Sequence, residues 1–362
     1  MKILLIGPLP PPITGNSIIN NKIICNFSKY YDEVDVDFIN IGVPTFNSQA
    51  GEASIKKLLL YISQYKSLYK VCFTNVVYVS IGHTFLGILK YLPFFITAKI
   101  FRKNLIIHVH TDYLWLLYEN STPFKKKLLK YTMSLVDKGI VLSPLLRRNL
   151  IPFMNNKKIY ELPNFITGEI MNHNISNTIA NKNYDKTKIL FLSNLIKEKG
   201  IIDFLEAMLL LKEENIDFEV HVAGDIPIYM QKEINIYFEQ LKDIIFYHGV
   251  VQSNQKNSLF LASNIFIFPT LREAQPLVLL EAMATGNIIL STNVGGISDI
   301  FKNSKNGITI DTHNPLQIKD KILEINNKKN NFNDMLHYNY SEIKKKYTEK
   351  KFFETLYKII MD

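Results

Sequence analysis

Short apolar runs recur along this 362-residue chain with amphipathic stretches between them, and they recur in two successive series. The first series is Lys2–Ile6, Val34–Ile39, Val76–Ile81, Leu105–Val109 and Gly139–Leu142. The second is Ile189–Leu192, Phe218–Val222, Ile244–Tyr247, Ile265–Phe268, Ile288–Leu290 and Ile308–Ile310. Runs this short and uniformly apolar read as parallel strands buried on both faces, with the longer segments between them as covering helices. The alternation predicts an α/β chain that repeats one architecture twice. Thr167–Lys188, rich in Asn, Thr and Lys and without hydrophobic periodicity, reads as the connection, which sets a first domain over 1–170 and a second over 183–345. In open parallel sheets ligands settle beyond the carboxyl ends of the strands. Function is therefore sought at strand-to-helix turns, in a cleft that two such domains would enclose.

Composition narrows the class. The chain is 47% apolar and 21% charged, as expected of a globular protein with two packed cores. Cys25 and Cys72 are its two cysteines, which excludes a disulfide framework and predicts a reduced, cytoplasmic setting. Met1–Pro8 reaches a Pro-rich turn too soon for a signal peptide and reads as a first strand. Phe85–Phe101, the most apolar stretch, is interrupted by Lys90, Pro93 and Lys99. It falls short of the roughly 20 apolar residues that a membrane span needs. The net charge of +9 is unevenly shared: residues 1–175 hold 20 Lys+Arg against 10 Asp+Glu, and the remainder 22 against 23. A basic first half implies an anionic partner such as the headgroups of a membrane's inner face, or else an ordinary solubilising surface.

Chemistry concentrates in Phe268–Gly286, where a strand ends, turns and opens a helix, with Glu273 at the turn and Glu281 about one helical turn inside. Helix openings present free N–H groups and a dipole that favour an anion. Two carboxylates beside such a site make sense if they accept hydrogen bonds from neutral sugar hydroxyls while the amides hold phosphate. Taken alone, a dipole-complementing Glu273 and a solvated Glu281 explain the pattern equally well. In the first half, Gly7–Ser17 joins a strand to a helix that the pattern starts near Ser17. Gly15 there permits close backbone approach, and Asn16 or Ser17 can donate hydrogen bonds or cap the helix. At the end of Leu105–Val109, period-2 alternation puts His108 and His110 on one side, with His110 first to reach a cleft.

The segment Glu273-Ala274-Gln275-Pro276-Leu277-Val278-Leu279-Leu280-Glu281-Ala282-Met283-Ala284-Thr285-Gly286, followed by Val294-Gly295-Gly296-Ile297-Ser298-Asp299, resembles the E-x7-E signature of retaining family 4 glycosyltransferases. Phe191–Gly200 resembles the same family's Gly-Arg-Leu-x-x-x-Lys-Gly element, and Gly7–Ser17 its first loop. The resemblance implies the GT-B fold, two Rossmann-like domains with parallel sheets facing a central cleft, and a last helix within about 346–362 that packs back onto the first domain. It implies transfer of a hexose from a nucleotide diphosphate sugar, with retention, to a glycan or lipid-linked glycan. Bacterial capsule or O-antigen assembly at the inner membrane face is the expected setting.

By the same resemblance Glu281 binds the ribose hydroxyls and Glu273 the hexose. Backbone N–H groups of Ala274, Gln275 and Leu277 line the sugar and phosphate site, and Lys199 neutralises the departing diphosphate. His110 lies near the reacting centre, no metal is expected, and no nucleic acid partner is implied. Two departures stand out. Pro276 lacks an N–H, and Asn194 replaces the family arginine, so either Arg272 or Lys197 supplies the missing charge or affinity depends more on backbone amides. Ser143, Asn164, His83 and His108 are weaker candidates. The alternatives are a nucleotide-sugar 2-epimerase of the same fold and a non-catalytic scaffold or polyanion binder.

Overall fold

The computed structural model describes residues 1–42, 63–182, 186–214, 216–327 and 332–362. They form two compact units, Met1–Asn164 with Lys350–Asp362, and Phe165–Glu349.

The first unit is built on a six-stranded, all-parallel sheet: β1 (Lys2–Gly7), β2 (Asp35–Asn40), β3 (Val76–Ile81), β4 (Asn104–Val109), β5 (Lys138–Val141) and β6 (Ile159–Glu161). Their spatial order is β2-β1-β3-β4-β5-β6. β3 and most of β1 and β4 are buried, as the unbroken apolar runs require of strands covered on both faces. Helix α1 (Gly15–Tyr30) follows β1. The last helix of the chain, Glu349–Met361, packs Phe353 against Phe27 and stacks Tyr357 on Tyr31 at 4.0 Å between centroids. β6 is absent from the expected strands because only its first residue, Ile159, is buried, which leaves no apolar run to read.

The second unit repeats the plan with β7 (Thr187–Leu192), β8 (Phe218–Ala223), β9 (Ile245–Tyr247), β10 (Ile265–Phe268), β11 (Ile288–Thr292) and β12 (Ile308–Ile310), in the order β12-β11-β10-β7-β8-β9. Two apolar clusters sandwich this sheet. Alternate residues of β10 serve opposite sides, Ile265 and Ile267 in one cluster, Phe266 and Phe268 in the other. The two helices that concern the site are α2 (Ser253–Ala262) and α3 (Leu277–Ala284). The segment Thr167–Lys188 differs from the connection expected. It carries short helices at Gly168–Met171 and Ile175–Asn181, and its Ile170 and Ile179 are buried in the two clusters of the second unit. These isoleucines are spaced too widely to show as periodicity; residues 183–185 lie outside the described part.

Strand order places the candidate turns. In the second sheet the chain winds outward from β7 through β8 to β9, then returns to the other side of β7 as β10. The order reverses between β7 and β10, the kind of switch point beside which ligands settle in open parallel sheets. The β7 exit leads to Lys199 and the β10 exit to Glu273. The first sheet reverses in the same way between β1 and β3. Among the described residues no helix is long and apolar enough to cross a membrane.

Candidate functional site

After β7 the backbone turns through Lys197–Lys199 and reaches Gly200, whose φ of 74° lies in the left-handed region. A Cβ there would stand 2.0 Å from the Pro269 carbonyl oxygen, so glycine is needed for both conformation and space. The close approach joins the two exits. The Leu271 N–H donates to the Glu198 carbonyl at 2.9 Å, and the Thr270 hydroxyl to the same oxygen at 3.0 Å. With its base anchored, Lys199 forms an ion pair with Glu273 Oε1, both side chains being largely sheltered from solvent. The Gly296 N–H donates to the Glu273 carbonyl at 3.0 Å, which ties the Val294–Ile297 turn to the same place.

Pro276 occupies the N-cap of α3 without a side-chain capping bond, so the amides of Leu277 and Val278 head the helix. Ala274 and Gln275 are buried just before it, and Arg272 is exposed. Glu281 is buried inside α3, and its Oε1 accepts from Lys256 Nζ at 2.5 Å. Its Oε2 is buried with no hydrogen-bond partner among the described residues. Lys256, on α2, went unremarked in the sequence because nothing local marks it; its partner lies 25 residues away. Lys197, one of two cations expected to compensate for Asn194, pairs with Glu233 at 2.9 Å and is exposed. A 3₁₀ turn projects neighbouring side chains in different directions, and Lys197 and Lys199 take different carboxylate partners. Asn194 is partly buried at the β7 exit.

In the first unit α1 begins at Gly15, two residues earlier than expected, because Thr14 rather than Asn16 or Ser17 is its cap. Thr14 Oγ1 accepts from the Ser17 N–H at 3.1 Å, and Ser17 Oγ accepts from the Thr14 N–H at 2.8 Å, a reciprocal capping box. Gly15 is exposed at the helix mouth, and Asn16 Oδ1 accepts from Ser80 Oγ at 2.6 Å. Alternation on β4 does bring the two histidines together: the His108 and His110 rings lie 3.9 Å apart. Tyr78 Oη lies 2.5 Å from His108 Nδ1. Burial pushes the His110 imidazole down to about 3, so the ring is neutral. The Nε2 atoms of both rings, and Ser143 Oγ, are buried with no partner among the described residues. His83 is exposed and Asn164 buried. Among the described residues no group of three or more His, Cys, Asp or Glu could hold a metal ion.

Residues 174–342 match the family model described as Glycosyl transferases group 1. The matched segment holds Lys199, Lys256, Glu273 and Glu281. A curated relative, D-inositol 3-phosphate glycosyltransferase of Paenarthrobacter aurescens, is 28% identical over 145 residues, which are 39% of this chain and 36% of that protein. The chain thus spans little more than a third of the length of the first curated relatives it matches. Likeness to solved structures runs further. HepE of Anabaena, in complex with UDP and glucose, superposes with a TM-score of 0.74 at 14% identity, covering 100% of both chains. Sucrose-phosphate synthase of Thermosynechococcus elongatus reaches 0.78 at 12% identity, covering 99% of this chain and 98% of that one. The fold is GT-B, with the group 1 segment forming most of its second unit.

Proposed function

We propose that the chain is a glycosyltransferase that moves a hexose from a nucleotide diphosphate sugar to a glycan or lipid-linked glycan acceptor, with retention of configuration. The observation that carries this reading is the Lys199–Glu273 pair, held beside the opening of α3 within the group 1 segment. An ammonium has three N–H donors, so Lys199 can keep Glu273 and still offer donors to a diphosphate resting on the amides of Leu277 and Val278. As the sugar–oxygen bond breaks, charge accumulates on the diphosphate, where a fixed cation and oriented amides stabilise it most. Glu273 then holds hexose hydroxyls, and Glu281 Oε2, buried and unpartnered, accepts from a ribose hydroxyl. Arg272, exposed on the Glu273 turn, is the proposed second cation in place of the family arginine. His110, in the first unit, offers a neutral imidazole suited to a carbohydrate hydroxyl. No metal cofactor is part of the proposal.

Support for a membrane-borne acceptor comes from the excess of cations in residues 1–175 and from the exposed Ile100, Phe101 and Phe124 that accompany them. Surface polysaccharide assembly at the inner face of a bacterial membrane is the proposed setting. Sedimentation with vesicles at low salt checks it: binding to anionic and not zwitterionic vesicles is expected, and equal binding to both contradicts it.

A thermal-shift screen of nucleotides and sugar nucleotides tests the main reading. Ligand at 100 times its Kd stabilises a fold by about 2.7 kcal/mol, so a matching nucleotide sugar raises the midpoint by several degrees. No shift with any of them sinks the proposal in favour of a non-catalytic scaffold. Product analysis by NMR then distinguishes transfer with retention from 2-epimerisation of the donor alone.

A further inference from the structure

The contact between Tyr78 and His108 constrains where a proton sits. Tyr78 is 1% exposed, and its hydroxyl, with one proton to give, has His108 Nδ1 as its partner at 2.5 Å. Burial pushes the Tyr78 phenol up, so the hydroxyl keeps its proton and has it to donate to Nδ1. Burial, reinforced by neighbouring His110, holds the His108 imidazole well below its ordinary range, so that ring is neutral and carries a single N–H. With Nδ1 accepting, the N–H must be on Nε2. That donor is fully buried and meets no acceptor among the described residues, although buried donors are almost always satisfied.

Its surroundings indicate what would satisfy it. His108 is paired in register with Ser80, whose hydroxyl holds Asn16 at the β1–α1 turn. His110 Nε2, beside it, is likewise buried and unpartnered. Both imidazoles are kept uncharged, which suits a neutral oxygen better than a phosphate. We infer that His108, held by Tyr78 in the Nε2–H form, is a ligand-facing donor that, with His110, recognises a neutral hydroxyl or ring oxygen of a carbohydrate at the carboxyl edge of the first sheet. Tyr78 is then a positioning residue. The ligand's identity rests on the glycosyltransferase reading; the tautomer rests on the Tyr78–His108 contact and the burial of both groups.

Nitrogen-15 NMR of the histidine-labelled full-length protein tests the tautomer. His108 is expected to show an unprotonated Nδ1 and a protonated Nε2, and Tyr78→Phe to give a mixture. The opposite tautomer in the unsubstituted protein overturns the inference. Calorimetry and initial rates test the ligand. Since a lost hydrogen bond is worth about tenfold, His108→Phe is expected to weaken UDP-glucose or acceptor by that factor while leaving UDP unchanged. His108→Gln, which keeps an N–H donor, is expected to recover most of it. Loss confined to UDP-glucose assigns the oxygen to the donor sugar, and loss confined to acceptor KM assigns it to the acceptor. Equal losses in both variants, tracking their thermal midpoints, overturn the inference in favour of a packing role. If the unsubstituted protein binds no nucleotide sugar, the glycosyltransferase reading fails, while the tautomer measurement still decides whether Tyr78 holds the donor.

Discussion

Lys256 Nζ stands 2.5 Å from Glu281 Oε1, joining α2 to the interior of α3, with the two side chains 20% and 10% exposed. A carboxylate that deep in a mostly apolar helix is tolerated because this ammonium neutralises it.

The first prediction follows. Lys256→Met leaves the Glu281 charge uncompensated, at an expected cost of about 1–3 kcal/mol, less than for a fully buried pair because solvent reaches Lys256. Adding Glu281→Gln should recover most of that loss, since the lone charge is then gone. Urea denaturation of the single and double variants gives the coupling. Additive losses would mean that the pair contributes nothing.

Lys199 and Glu273 are expected to separate catalysis from folding. Each side chain sits on a turn whose backbone is anchored independently, through Glu198 and Gly296. Lys199→Ala should therefore lower kcat by about 10²–10³, the scale seen when one transition-state donor is removed, with little change in thermal midpoint. Release of nucleoside diphosphate in initial-rate assays measures it. A rate within twofold of the unsubstituted protein excludes Lys199 from leaving-group stabilisation.

Gly200→Ala makes the contrary prediction. Its φ of 74° and a Cβ at 2.0 Å from the Pro269 oxygen force the β7 and β10 exits apart. A loss above about 1 kcal/mol is expected, together with weaker nucleotide binding, since the same turn carries Lys199. Denaturation and calorimetry on one preparation read both, and unchanged nucleotide affinity would show that the turn does not shape the site.

The neutral His110 has a pH signature. Its folded value of about 3 lies below the ordinary value of 6.5, so the unfolded chain binds the proton more readily. Its contribution to stability is therefore fully present above about 6.5 and is lost as pH falls towards 3. Proton NMR should show no His110 titration between pH 5 and 9, and His110→Gln should flatten part of the acid limb of the stability profile. A midpoint near 6.5 for His110 would falsify the neutral-imidazole role.

How much of this was legible in the chain depended on range. The apolar runs located all the expected strands to within a residue or two, since burial on both faces leaves a local signature. Glu273 and Glu281 stand out as candidates because the strand-to-helix turn around them carries a local pattern, and Lys199 through the family resemblance of its segment. β6 escaped because one buried residue makes no pattern, and the Thr14 cap because several neighbouring residues could have served.

By itself, then, the sequence determined the alternation of strands and helices, the doubled architecture and the positions of the strand-to-helix turns, because these follow from periodicity and local backbone preference. Tertiary structure decided which turns meet. The reversal of strand order between β7 and β10 brings residue 199 to residue 273, and helix packing brings Lys256 to Glu281 and turns Lys197 towards Glu233. Such pairings depend on which strands become neighbours and how their covering helices pack, information spread over the whole core and written at no single position.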